Sequence, residues 1–253
     1  MGKIFCITNQ KGGVGKTTTA VNLGAGLSHR GKKILLVDLD PQGSLTSALG
    51  LKKRNFEFTV YDWLKGNTAF HQVAISHNGL HIVPASISLS GADIELSAIP
   101  GRELLLREGL QKVCQQFDGI LIDCPPSLGL LTLNALTAAD GIIVPIQAEY
   151  LALEGVRFLL ETIEIVKKRL NRDLEIAGVI ITMYDSRQIL QREVMETIRG
   201  HFNNKVFNTL IRKNVVLAEA PGFGQDVFAY KPDSPGANDY GQLCREMIEG
   251  GVV

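Results

Sequence analysis

Two lysines bracket a run of glycines in Lys11-Gly-Gly-Val-Gly-Lys16-Thr-Thr, and three aspartates, Asp38, Asp40 and Asp123, close apolar runs elsewhere in the chain. Glycines let successive backbone N–H groups turn inward around an oxyanion, and the start of a following helix adds its positive dipole end. Lys16 then supplies a point charge for the β/γ-phosphates, and the Thr17 hydroxyl a ligand for Mg²⁺. The first glycine of the usual phosphate-loop pattern is replaced here by Gln10, and an extra lysine, Lys11, stands beside Gly12 and Gly13. Lys11 could face its own nucleotide, that of a neighbouring subunit, or solvent. A dinucleotide fingerprint would need a glycine where this chain has Thr18, so a triphosphate is favoured over a hydride-transfer cofactor.

The aspartates extend the chemistry from binding to hydrolysis. Leu35-Leu-Val-Asp38-Leu-Asp40-Pro-Gln-Gly is an apolar strand ending in two acids, with Pro41 and Gly43 forcing a loop. Ile120-Leu-Ile-Asp123-Cys-Pro-Pro-Ser repeats the design. Carboxylates at the tips of adjacent strands repel one another unless a cation or donor offsets them, and a magnesium triphosphate beside Lys16 does that. Asp123 suits the second metal-organising acid. A capping or turn role is the structural alternative for each.

The elements that must carry these residues are legible as alternation. Short runs rich in Ile, Val and Leu (Lys3–Thr8, Lys33–Asp38, Gly79–Pro84, Gly119–Asp123, Gly141–Ile146 and Ala177–Thr182) alternate with stretches of helical periodicity. The helical stretches are Thr17–Arg30, Arg102–Gln116, Leu128–Ala139, Leu153–Leu170, Gln188–His201 and Asn238–Glu249. That is the sequence form of an α/β protein with a doubly wound, mostly parallel sheet, a P-loop NTPase fold. Residues 52–78 carry less pattern and read as short helices and loops, with Trp63 a core anchor. With 253 residues and 45% apolar composition, one domain over 1–253 is expected.

Composition narrows the partners. Lysine plus arginine equal aspartate plus glutamate at 26 each, so nucleic-acid or membrane binding must come from a local patch. Cys6, Cys114, Cys124 and Cys244 form no paired ligand motif and fit reduced core thiols, and the five histidines show no ligand spacing. No run approaches the ~20 apolar residues of a membrane span, and the N-terminus enters the first strand directly, so a cytoplasmic protein is expected.

Taken together, Lys11-Gly-Gly-Val-Gly-Lys-Thr-Thr, Val37-Asp-Leu-Asp-Pro-Gln-Gly, Ile122-Asp-Cys-Pro-Pro-Ser, Glu149-Tyr-Leu-Ala-Leu-Glu-Gly and Asn214-Val-Val-Leu-Ala-Glu-Ala-Pro resemble the ParA/Soj family of chromosome and plasmid partition ATPases. The resemblance spans residues 3 to about 247. It implies an enzyme that binds ATP with Mg²⁺, forms a homodimer enclosing two nucleotides, and hydrolyses slowly until a ParB-like centromere-binding partner stimulates it. It assigns nucleotide contacts to Lys11, Gly12, Gly13, Val14, Gly15, Lys16, Thr17 and Thr18, with Lys11 crossing to the partner's phosphates. Thr17 and Asp123 fall to the metal, Asp38 to its supporting shell, and Asp40 to the attacking water; Lys11, Lys16 and Asp40 form the catalytic set.

The family also implies non-specific DNA binding through surface cations. Between Arg187 and Lys213 six basic residues face two acids, a local surplus of four. Arg187, Arg212 and Lys213 are the expected phosphate contacts, with Arg192 and Lys205 behind them. Where family members carry an arginine, this chain has Val216. A MinD-like membrane switch would need a basic amphipathic C-terminal helix, and the stretch from Cys244 to Val253 is acidic on balance, so no membrane partner is expected. An iron–sulfur relative would need exposed bridging cysteines, and Cys6 and Cys124 sit where packing is the better account.

Overall fold

A computed structural model describes residues 2–52, 54–149 and 152–253. Lys53 of the basic run, and Tyr150 and Leu151 of the Glu149 motif, lie outside the described residues. Seven strands form one sheet: β1 (Lys3–Ile7), β2 (Ile34–Asp38), β3 (Ile75–His77), β4 (Leu80–Val83), β5 (Gly119–Asp123), β6 (Gly141–Gln147) and β7 (Glu175–Thr182), in the spatial order β3-β4-β2-β5-β1-β6-β7. All neighbours are parallel except β3 and β4. The four central strands β1, β2, β5 and β6 are almost wholly buried because helices cover both faces, which is why they read as continuous apolar runs rather than alternating ones.

Two hydrophobic cores result, one per face. Ile4, Cys6, Leu35, Val37, Ile120 and Ile122 point into the first; Phe5, Ile7, Ile34, Leu36 and Leu121 point into the second. The alternation of inward side chains along each strand is the period-two rule acting on a sheet with two buried faces. Helix Lys16–Ser28 packs in the second core against helix Pro235–Glu249, where the Thr19 and Tyr240 hydroxyls meet at 3.1 Å.

Three features differ from the sequence expectation. The antiparallel edge strand β3 was hidden in the segment read as loops; Asn78 and Gly79, both at positive φ (48° and 78°), make the tight hairpin turn that joins it to β4. The helix expected over Arg102–Gln116 is only Leu105–Gln111, followed by a 3₁₀ turn at Cys114–Gln116. Its start is fixed from outside, by the buried Asn134 side chain accepting from the Leu106 N–H. The Asn238–Glu249 helix begins earlier, at Pro235, because Ser234 caps it through the Ala237 N–H and proline fits the first turn. Trp63 is half-buried against the first core, its ring 5.7 Å from that of Phe70.

Candidate nucleotide and magnesium site

The loop from Asn9 to Gly15 leaves the C-terminal end of β1, in the middle of the sheet, where an open parallel sheet binds its ligands. Gly13 and Gly15 hold φ of 74° and 90°, a left-handed backbone that a Cβ would strain. Two side chains fasten the loop to neighbouring strand ends: Asn9 Nδ2 donates to the Pro145 carbonyl at 2.8 Å, and Thr182 Oγ1 donates to that of Val14 at 2.9 Å. Helix Lys16–Ser28 starts directly after it with no side-chain cap and no acid in its first turn. Its leading N–H groups are therefore left for an anion, and the dipole favours one.

Lys16 is buried at the mouth of this loop, with Nζ donating to the Lys11 carbonyl at 3.2 Å. Burial lowers its pKa, while the charges of Asp123, Cys124 and Asp40 act in the opposite sense. Lys11 lies on the outer side: its N–H donates to Asn9 Oδ1, and its ammonium pairs with Glu149, both side chains being part-exposed. Gly12 and Gly13 face open space, and Thr17 and Thr18 open the first helical turn beside them.

The three aspartates gather next to Lys16 but are not equivalent. Asp38 and Asp123 are direct partners across β2 and β5, and both are fully buried. Asp38 is saturated: Oδ2 accepts from the Thr46 N–H at 2.8 Å and the Thr46 hydroxyl at 2.6 Å, and Oδ1 accepts from the Asp40 N–H at 3.3 Å. Burial outweighs those bonds and pushes its carboxyl up to about 6. Neither oxygen of Asp123 makes a hydrogen bond of good geometry among the described residues, although the Thr17 hydroxyl lies close enough to stabilise its charge. Burial first, then the charge of Asp38, raises its pKa well above the usual carboxylate range; Thr17 and Lys16 oppose this. Asp40 is held in its own turn, Oδ1 accepting from the Gln42 N–H at 2.9 Å and its carbonyl from that of Gly43 at 2.8 Å.

A buried carboxylate with two unpaired oxygens, facing a phosphate loop, is suited to a cation. The donors are a carboxylate and a hydroxyl, the oxygen ligands that Mg²⁺ takes. Among the described residues no cluster of three or more His, Cys, Asp or Glu forms a closed protein cage, and Mg²⁺ binds instead through one or two oxygens plus phosphates and water. Asp123 and the Thr17 hydroxyl are the residues that would supply those oxygens, whereas both oxygens of Asp38 already accept hydrogen bonds.

One part of the site had no signal in the sequence. Beside Gly15 and Thr18 opens a slot of about 360 Å³ walled by Met183, Ile211, Asn214, Val215 and Leu217. It is narrow and apolar, the right chemistry for the face of a base. Met183 stands there at φ 52°, an uncommon left-handed conformation for a long side chain. Its only herald was position, immediately after β7.

The expected phosphate-contacting cations assemble next to this slot, which Arg212 and Lys213 also line. Arg187, Arg212 and Lys213, spread over 27 positions, line one depression of about 600 Å³ with Tyr184, Asn208 and Gln242. Each arginine is held by an aspartate through the same fork: Asp185 accepts from Arg187 Nε and Nη2 at 2.9 and 2.7 Å, and Asp239 from Arg212 Nε and Nη2 at 3.1 and 2.6 Å. These contacts raise both guanidinium pKa values and hold Asp185 far below the usual carboxylate range. Arg199 pairs with Glu196 and Lys205 with Glu175. Of the six basic residues, Arg192 and Lys213 have no ion pair among the described residues. Lys205 is not part of the depression, because Glu175 begins β7 and so lies at the opposite end of the sheet. Val216 is a buried member of the second core, and its neighbour Val215 takes the exposed place. Cys6 and Cys124 are enclosed in the first core, which rules out the exposed bridging pair.

The chain is similar to known proteins along nearly its whole length. Residues 2–176 match the model of a family described as an AAA domain. The chain is 50% identical over 99% of its length to the sporulation initiation inhibitor protein Soj of Bacillus subtilis, all of which is covered. It is 49% identical over 98% of its length to the chromosome-partitioning ATPase Soj of Treponema pallidum, of which 98% is covered. Among solved structures, cobyrinic acid a,c-diamide synthase of Mycobacterium smegmatis with a bound ATP analogue and magnesium superposes with a TM-score of 0.88 at 38% identity, covering 99% of this chain and 96% of that one.

Proposed function

The chain belongs to the Soj/ParA family of chromosome-partitioning ATPases and is an ATPase that works with ATP and Mg²⁺, and from that premise we propose that it is a nucleotide-gated DNA rider that moves chromosome or plasmid DNA. In this reading the loop N–H groups of residues 12–17, with Lys16, hold the β/γ-phosphates, and the base enters the Met183 slot. Asp123 and Thr17 would hold Mg²⁺, which would supply positive charge against the charge that develops on the phosphate. Asp40 orients the attacking water. Its carboxylate needs position more than basicity, since phosphoryl transfer is governed by alignment and electrostatics. The single sheet with a core on each face supports one domain.

Lys11 supplies the dimer switch. Its ammonium is compensated by Glu149 in the isolated chain. Binding of a triphosphate in a second copy offers a stronger anion, and Lys11 exchanges Glu149 for it, so that two chains close over two nucleotides. Slow turnover then persists until a ParB-like partner stimulates it, with the protein cytoplasmic and on the nucleoid. No described helix is long and apolar enough to cross a membrane.

The observation that carries the DNA part is the meeting of Arg187, Arg212 and Lys213 in one depression. Binding of a fluorescent non-specific duplex by Asp40→Ala protein, in MgATP and in MgADP across a salt titration, tests it. Binding in MgATP alone, falling steeply with salt, is expected. Absence of binding in either state, with dimerisation verified by light scattering, would assign the switch to a different cargo. A mass unchanged by MgATP would refute the dimer.

A further inference from the structure

Asp38 ends β2 in a position that should be intolerable, a carboxylate with no ion pair, shut away from water. The residue that makes it tolerable is Thr46, in the short helix Ser44–Ala48. Thr46 gives Asp38 Oδ2 two donors, its own N–H and its hydroxyl, and it is itself buried. The same hydroxyl oxygen accepts from the Ala85 N–H at 3.2 Å, just beyond the end of β4. Its polarity is therefore fixed. An amide N–H can only donate, so the one hydroxyl proton is committed to Asp38.

The other oxygen of Asp38 carries the effect toward the chemistry. Oδ1 receives the Asp40 N–H, while Asp40 Oδ1 receives the Gln42 N–H and the Asp40 carbonyl that of Gly43. Residues 38–46 thus form a loop closed at both ends by hydrogen bonds, with the β2 carboxylate as anchor and Thr46 as its clasp. We propose that Thr46 is a positioning residue for ATP hydrolysis, which locks Asp38 and, through it, the backbone of Asp40, so that the Asp40 carboxylate stays aimed at the attacking water. This rests on the assignment of Asp40 given above.

The hydroxyl, not the shape, carries the effect. Thr46→Val keeps the volume and the backbone N–H bond but removes the hydroxyl, leaving Asp38 one donor short and the Ala85 N–H without an acceptor; Thr46→Ser keeps all three bonds. In the full-length protein, Thr46→Val is expected to lower kcat by roughly tenfold or more, the scale of one charge-assisted hydrogen bond, with ATP affinity within about threefold of wild type. Thr46→Ser should recover kcat to within about threefold of wild type. In an Asp38→Asn background Thr46→Val should add little further loss, because the two act through one bond.

Turnover by folded Thr46→Val at the wild-type rate would overturn the proposal. So would equal losses in the Val and Ser variants, a loss confined to ATP affinity, or a full additional loss in the Asp38→Asn background. If Thr46→Val does not fold, Thr46→Cys, with a weak S–H donor, is expected to turn over more slowly than Thr46→Ser, and full activity in it overturns the proposal equally. The test also separates this inference from its premise. Normal turnover by Asp40→Ala removes the premise, whereas an inactive Asp40→Ala beside a fully active Thr46→Val removes the inference alone.

Discussion

The phosphate-loop site and the arginine depression handle charge in opposite ways. At the strand tips, Asp38 and Asp123 are packed side by side in the interior, and neither has an ion pair among the described residues. In the depression, Arg187 is almost fully exposed, yet it and Arg212 already carry their own bidentate carboxylates. The first region stores a deficit of positive charge that only a cation outside the chain makes good. The second is close to balance and would attract a polyanion only by the margin that Lys213 and the free edges of two guanidinium groups leave. Burial amplifies the first and water screens the second. Changes in the first region should therefore have large effects and changes in the second graded, salt-dependent ones.

The largest expected effect is at Lys16. Its ammonium is buried among Asp123, Cys124 and Asp40, and no other lysine enters the loop from the helix side. Lys16→Ala should weaken ATP binding by about a hundredfold or more, as expected for a buried, hydrogen-bonded charge facing phosphate, and abolish turnover. Titration of a fluorescent ATP analogue reads this directly. Affinity within a few-fold of wild type would place the triphosphate elsewhere. Next comes the charge-reversed pair Arg187→Glu/Arg212→Glu, expected to reduce duplex binding at low salt by about tenfold or more and to flatten its salt dependence. Unchanged binding would move the DNA surface away from the depression.

The same contrast explains what could be read from the sequence. Residues 10–18 and the Asp38, Asp40 and Asp123 tips were legible because local rules fix them: apolar runs end, prolines turn the chain, and glycines adopt the left-handed backbone. The surplus of four basic residues over 187–213 was legible as a number but not as a field. Asp239 lies beyond that window and Asp185 just before it, and pairing is decided in space. The apolar slot was invisible because Met183, Ile211 and Val215 are ordinary apolar residues until β7 and the 211–217 segment bring them together. The β3 hairpin was missed although Asn78-Gly79 is a strong turn signal, because His77, with three polar or small neighbours, breaks the apolar run.

At Asp123 a smaller effect, on stability, separates folding from function. Both strand-tip acids have pKa values raised by burial, Asp38 to about 6. A carboxyl whose folded pKa exceeds its unfolded one favours the fold in its neutral form, so this contribution is present at low pH and lost as pH rises through the folded value. Metal-free and nucleotide-free, Asp123→Asn should therefore melt higher than wild type at pH 7.5, by about a few degrees, with the margin shrinking toward pH 5. The same variant should lose Mg²⁺-dependent turnover. Equal or lower melting at pH 7.5 would mean that Asp123 is compensated inside the chain, contrary to its two unpartnered oxygens.

The smallest effect sharpens the comparison most, because its sign runs against intuition about salt bridges. Asp185 holds Arg187 in a fork, and removing the acid loosens that geometry, yet it also removes a negative charge from the rim of the proposed duplex-binding surface. On an exposed surface the ion pair itself contributes little, whereas each net charge enters the salt-dependent affinity for duplex directly. Asp185→Asn keeps an acceptor for the Arg187 N–H and should tighten duplex binding about two- to threefold at low salt, the gain fading as salt rises. Weaker binding would show that the carboxylate aims Arg187 rather than masking it. The depression would then resemble the strand tips after all, a site in which geometry counts for more than charge.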